Sequence, residues 1–343
     1  MNKKLIALAV AAIAAPAAMA ADNEIIMYGQ VNVGVELSNF NSGTYAHNPD
    51  QVKVSNLASR LGFKGTEDLG DGVKSFFKIE SKVAPDDASK AGFATREGWV
   101  GLQSSLGQIA LGRGKSPYTN ASEEFDPWDH DYSSALVNNA PVAYRLSNSV
   151  RYNYTANGFT FAAANGVGED KTATHRESNE FSTFAKYANQ QFMVIAAYDT
   201  FSPTVGSHTS AVQLGGAVTL GNWWIGLTAQ NRNYGTDIPK LDGSGTKKSF
   251  NDVQAIVTYT DGAMTWIGEV TKWDKNAPLA ANTINGQSDQ AGITYVNGTE
   301  KTQANLGFQY ALSKRTVVSL EYTGNVWGMD RVHATTLGLN HSF

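Results

Sequence analysis

From Leu69 to the last residue, the connections between hydrophobically alternating runs themselves alternate, short then long. Tight turns such as Leu69-Gly70-Asp71-Gly72, Ser105-Leu106-Gly107, Ala156-Asn157-Gly158, Leu220-Gly221-Asn222 and Asp261-Gly262 join runs of about ten residues, and long polar stretches separate the pairs. A chain that crosses a membrane as antiparallel strands, turning tightly on one side and looping on the other, closes into a barrel and leaves this rhythm. The runs also have two faces. Val31, Val33, Val35 and Leu37 fall on one side and Gln30, Asn32, Gly34 and Glu36 on the other, and the division recurs in Val212 to Leu220 and in Leu306 to Leu312. A soluble sandwich alternates too, but its connections need not sort into two lengths.

Both ends fit an exported barrel. Lys3 and Lys4 precede an apolar run from Leu5 to Ala15, and Ala18-Met19-Ala20 supplies the small residues of a cleavage site, so residues 1–20 are expected to be a signal peptide read by the Sec pathway and 21–343 the mature domain. The apolar run is too short for a spanning helix of about 20 residues. At the other end Leu337, Leu339, His341 and Phe343 share one face, and the terminal aromatic Phe343 resembles the signal that the barrel assembly machinery reads. The chain has 33 Gly, 9 Pro and no Cys, which excludes disulfides, thiol redox chemistry and thiolate metal sites. Its charge of -4, or -6 without the two leader lysines, is too modest and dispersed for a nucleic-acid partner.

Strands are expected at 25–38, 51–65, 73–83, 93–104, 107–113, 143–155, 158–167, 178–188, 191–201, 209–220, 222–232, 250–260, 263–273, 300–312, 315–324 and 333–343, sixteen in all. Gln290 to Asn297 also looks strand-like, but a seventeenth strand would put the termini on opposite sides, so it is assigned to a long seventh loop, paired with Thr299 to Gln303. Tyr28, Trp99, Tyr152, Tyr154, Tyr187, Trp223, Trp266, Tyr310 and Tyr322 lie near strand ends, where interfacial aromatic girdles belong.

Ser59-Arg60-Leu61-Gly62-Phe63-Lys64-Gly65, Tyr28-Gly29, Arg96 with Trp99-Val100-Gly101-Leu102, and Leu111-Gly112-Arg113 resemble motifs of the general porins of Gram-negative bacteria. The resemblance spans the mature chain. It implies a sixteen-stranded transmembrane β-barrel in the outer membrane, among its lipids and lipopolysaccharide, and a homotrimer. It also implies a third loop folded into the lumen, opposed by an arginine cluster on the wall that Arg60, Arg96 and Arg145 match. No cofactor is implied.

The residues themselves point to the same loop. Gly114 to Val142 is the longest connection between clear strands and carries Glu123, Glu124, Asp126, Asp129 and Asp131 among Phe125, Pro127 and Trp128. Strand parity turns Arg60, Arg96, Arg145 and Arg151 to the wet side, where a charge avoids the roughly 2–4 kcal/mol penalty of the lipid face. Arg113 and Lys78 are weaker candidates for that wall, and parity turns Glu97 outward. On the acidic side the family's usual Pro-Glu-Phe-Gly-Gly is replaced by Glu123-Glu124-Phe125-Asp126-Pro127-Trp128-Asp129, so only Glu124-Phe125 match; Asp126 and Asp129 are added because they flank the turn, and Glu123 is a further candidate carboxylate of the loop. Opposed charges across a wet constriction would pass small hydrophilic solutes passively and disfavour apolar ones.

Two other functions compete. A substrate-specific porin would stack sugar rings on Trp128 and Trp224, the latter on a lumen face. An outer-membrane enzyme would need an oriented base or a metal, yet His47, His130, His175, His208, His333 and His341 have no ligand spacing. Gly243-Ser244-Gly245-Thr246-Lys247 lacks the spacing and helix of a phosphate loop.

Overall fold

A computed structural model describes residues 24–41, 51–87, 92–128, 143–169, 178–202, 208–239, 245–274, 301–327 and 331–343. The first half contains β1 (Glu24–Asn41), β2 (Gln51–Asn56), β3 (Arg60–Gly70), β4 (Val73–Lys82), β5 (Gly92–Ser104), β6 (Gly107–Lys115), a short helix α1 (Pro117–Glu123), β7 (Arg145–Ala156) and β8 (Phe159–Val167). Then follow β9 (Asn179–Ala188), β10 (Phe192–Ser202), β11 (Thr209–Leu220), β12 (Trp223–Pro239), β13 (Thr246–Asp261), β14 (Met264–Trp273), β15 (Lys301–Ala311), β16 (Thr316–Trp327) and β17 (Arg331–Ser342). Apart from β2 and β3, which both lie against β1, each pairs antiparallel with its neighbour in sequence, and β17 closes the sheet onto β1, from Gln30 opposite Ser342 to Asn41 opposite Arg331.

The seventeen segments make sixteen barrel strands, because β2 and β3 both pair with β1 and are one strand broken at residues 57–59. The break has a local cause: Ala58 takes φ 67°, and the buried Leu57 turns against the positions of Gly34 and Gly338. The expected leader (1–20) and the strand-like 290–297 lie outside the described residues. Strand ends differ from expectation mainly by extension: β3 runs to Gly70, β12 to Pro239 and β13 starts at Thr246.

The tight turns follow from residue chemistry. Asn157 and Gly158 both have positive φ, 52° and 83°, the requirement of a type I′ hairpin, and Asn-Gly meets it with least strain. Across the sheet the outward positions are apolar and exposed, Leu214, Leu227, Leu306 and Leu337 among them. The inward ones are polar and buried: Asn32, Gln213, Thr228, Gln254 and Asn305. The barrel is therefore inside out relative to a soluble domain, which lipid demands. Rings cluster outside the short turns, with Phe159 on Tyr187 at 4.6 Å, Trp223 on Tyr259 at 4.7 Å and Trp266 on Phe308 at 4.5 Å.

One inner arc breaks the pattern. Ala162, Phe184, Ile195, Ala197, Ala211 and Ile256 point inward and form an apolar floor on β8 to β13, and Tyr118, Ala121 and Phe125 cover it. This floor determines where the chain after β6 comes to rest.

Candidate functional site

The chain leaves the wall after Lys115 and turns into the lumen as α1. Ser116 caps the helix by accepting from the Thr119 amide, and Pro117 occupies its first turn, where the missing N–H is no loss. The segment then crosses β9 to β15 and is held at each step. Ser182 on β9 accepts from the Tyr118 amide at 2.9 Å, and the Tyr118 hydroxyl donates to Gln230 on β12 at 3.0 Å. Ser122 donates to Gln213 on β11, Gln254 on β13 to the Phe125 carbonyl, and Gln309 on β15 to the Pro127 carbonyl. The Trp128 indole N–H donates to Glu269 on β14.

Two aromatic seats complete the anchorage. Phe125, 1% exposed, rests on Gly215 and Gly226, where an added Cβ would come within 2.5 to 3.1 Å of its ring or of Trp224. Trp128 occupies the space above Gly307, with 2.6 Å to a hypothetical Cβ. These glycines are required by close approach, not by backbone conformation. Both tryptophans offered as sugar-stacking rings are thus engaged: Trp128 is buried on Glu269 and Gly307, and Trp224 packs tilted against Phe125.

The acidic residues of this loop face lysines. Glu123 accepts from Lys115 at 2.6 Å and from the Tyr144 hydroxyl, and Glu124 pairs with Lys186 on β9. Burial, then the charge of Glu123, pushes the Tyr144 phenol well above its ordinary range, so it stays a donor. Asp126 accepts from the Trp128 amide at 3.3 Å within its own turn. Asp129, and the return of the loop through 142, lie outside the described residues.

The basic residues gather on the opposite arc. Arg60 projects inward with Gln30, which it faces across the sheet. Arg96 donates to Glu80 at 2.6 Å, and Lys78 pairs with Glu97 at 2.9 Å and Glu80 at 3.5 Å. Arg145, 5% exposed, lies 4.7 Å from the Tyr144 ring centre. Arg151 donates to the Gly114 carbonyl at 3.2 Å and to that of Lys115, so it holds the root of the loop.

Two bulges interrupt the alternation on this arc. Between the pairs Glu80–Glu97 and Lys82–Gly92, β5 carries four residues against one on β4, with Ala94 at φ 53°. Glu97 and Trp99 alternate with the outward Val100 in unbroken register, so they face the lumen, not the outside: Glu97 is 8% exposed and accepts from the Trp99 indole at 3.1 Å. Arg96 also reaches inward, through the bulge rather than by alternation. Tyr28 is likewise no girdle residue; its hydroxyl donates to Glu80 in the lumen at 2.9 Å. Arg113 stands on the outer face with Leu111, opposite Gly98, donating to the Thr95 carbonyl at 3.0 Å and to Ser147 at 2.6 Å. A second bulge, with Asn148 at φ 48°, lies between Ser149 and Leu146 and leaves Leu146 buried.

Sequence reasoning missed Glu80, Lys64 and the buried Arg232–Asp252 pair. In that pair the guanidinium bonds both carboxylate oxygens at 2.6 and 3.0 Å and braces β12 against β13. Parity alone, placing Glu80 beside Lys78 on one face, would have found the first.

Exposure decides the electrostatics of the passage. The wall carboxylates Glu36, Glu80, Glu97, Asp252, Glu269 and Glu321 are all less than a tenth exposed. Lys64 is exposed, and Arg60 and Lys78 are partly so. Arg60 and Lys64 have no carboxylate partner among the described residues.

Comparison with known proteins agrees with this architecture. The family model described as Gram-negative porin matches residues 7–325. The major outer membrane protein P.IB of Neisseria meningitidis serogroup B is 28% identical over 357 residues, covering all of both chains. Among solved structures, the anion-selective porin from Comamonas acidovorans superposes with TM-score 0.72 at 20% identity, covering 94% of this chain and 100% of its own. The trimer form of OmpT from Vibrio cholerae gives 0.64 at 14% identity over 94% and 99%. The chain belongs to the Gram-negative porin family and forms an outer-membrane barrel through which small hydrophilic solutes diffuse passively.

Proposed function

We propose that the docked loop and the basic arc from β3 to β5 form the constriction, and that it favours anions. The observation that carries this reading is the asymmetry of pairing: Arg60 is partly exposed, Lys64 is exposed, and neither has a carboxylate partner among the described residues, while Glu123 and Glu124 of the loop are each held by a lysine. Arg96, Arg145 and Arg151 add positive potential behind them, and Asp126, Asp129 and Asp131 also belong to the loop sequence. The anion selectivity named for the Comamonas acidovorans porin is consistent with it. Removing two open charges tests the reading. Arg60→Gln with Lys64→Gln is expected to lower the chloride-to-potassium permeability ratio about tenfold, since each charge is worth roughly 0.7 kcal/mol at about 6 Å in water. An unchanged reversal potential would reject the wall assignment.

We also propose that three copies associate through the arc from β1 to β6. That arc presents no outward Tyr or Trp among the described residues, since Tyr28 and Trp99 both turn inward, whereas Tyr152, Tyr187, Trp223 and Trp266 line the rest of the outside. A surface without interfacial rings suits protein better than headgroups. The trimer form of the Vibrio cholerae protein supports this. Mass measurement in mild detergent should give three times the chain mass, and a monomer mass would contradict it. On the same reading residues 1–20 are cleaved on export, and Phe343, seated against Gly29 on the outer face, is the segment read during assembly beside lipopolysaccharide and lipid.

A further inference from the structure

The basic arc contains a flat seat that charge alone does not require. Tyr28 lies over Gly62, its partner across β1 and β3, so closely that a Cβ at residue 62 would fall 2.4 Å from Cζ. Any larger residue there would expel the ring. The hydroxyl is tied to Glu80 at 2.9 Å, which fixes the ring in place. Arg60 and Lys64 flank Gly62 at the two adjacent inward positions of β3, which makes both of them diagonal neighbours of Tyr28, at about 7–8 Å. The Lys64 and Lys78 ammonium groups stand 5.5 and 5.8 Å from the ring centre. Tyr28 itself remains partly exposed.

We infer that Tyr28, Arg60 and Lys64 form a subsite for aromatic carboxylates entering the pore. The inference rests on the anion preference proposed above and adds a substrate class to it. A small inorganic anion uses only the cations. A planar solute with one carboxylate uses both parts: its ring stacks on Tyr28 while its carboxylate takes donors from Arg60 or Lys64 at the ring's edge, where the aromatic quadrupole does not repel it. Lys78 is held by Glu80 and Glu97, so it positions the seat rather than binding the solute.

Planar-bilayer recordings with benzoate and acetate, equal in charge and differing in the ring, test this on the full-length channel. Benzoate should reduce the chloride current with a saturating dependence, half-blocking at a concentration about fivefold below that of acetate. In Tyr28→Leu the two anions should become equivalent, whereas Tyr28→Phe should retain the difference. Arg60→Gln should weaken both blocks. Equal block by benzoate and acetate in the unmodified channel, or a difference that survives in Tyr28→Leu, would overturn the subsite while leaving anion preference intact. A reversal potential directed to cations would instead remove the reading beneath it. If Tyr28→Leu fails to fold, the comparison of benzoate with acetate in the unmodified channel and in Tyr28→Phe still decides.

Discussion

Phe125→Ala is expected to convert a quiet pore into a noisy one. The ring is the central fastening of the loop, buried on Gly215 and Gly226 over the apolar floor of β8 to β13. Removing a buried phenylalanine typically costs about 3–5 kcal/mol. That is comparable to what a few hydrogen bonds of about 1 kcal/mol each can restore. The segment from Ser122 to Trp128 should then leave the wall for part of the time, and the only space open to it is the lumen. Single-channel recordings should show lower mean conductance and strong open-state fluctuations, while the barrel stays folded because its ladder of strand pairs is untouched. Gly215→Leu should do the same from the other side, by filling the seat. A variant with steady conductance of unmodified size would mean that the loop is held by something other than this seat.

Glu80→Gln is expected to sharpen anion preference and weaken the barrel together. One carboxylate accepts from Arg96 at 2.6 Å and from Tyr28 at 2.9 Å and pairs with Lys78 at 3.5 Å. Neutralising it takes the carboxylate from Arg96 in a nearly dry position, while Lys78 keeps Glu97 at 2.9 Å, and breaking a buried pair from one side costs roughly 3–5 kcal/mol. The heat-denaturation midpoint should fall. In the water the same change adds one positive charge to the wall, about 0.7 kcal/mol at ~6 Å, so the chloride-to-potassium ratio should rise about threefold. A ratio that stayed constant or fell would mean that Glu80 does not shape the field of the passage.

The fold was legible because its signals are periodic and redundant. Alternation in β1, β11 and β15, turn chemistry at Asn157-Gly158 and the length of the Gly114 to Val142 connection each pointed to the same barrel, and sixteen strands follow from pairing as they did from parity. The site was legible only in part. Arg60 and Arg151 face inward as alternation requires, and so do Glu97 and Trp99 once Val100 marks the outer face; Arg96 does so against it, because the bulge at 93–96 adds residues that the sequence does not mark. The Ala94 bulge has no Gly or Pro to announce it. The docking arc could have been suspected from Phe159 to Ala164 and Phe192 to Ala197, where both strand faces are apolar although one should be wet. Contacts such as Trp128 to Glu269, 141 residues apart, come from barrel closure and leave no local trace.

Open cations opposite partnered carboxylates are expected to give the pore a positive passage. The reversal potential of the unmodified channel across a tenfold potassium chloride gradient measures it without any substitution. The account predicts a potential displaced toward the chloride equilibrium value; one at zero, or displaced toward that of potassium, would contradict it.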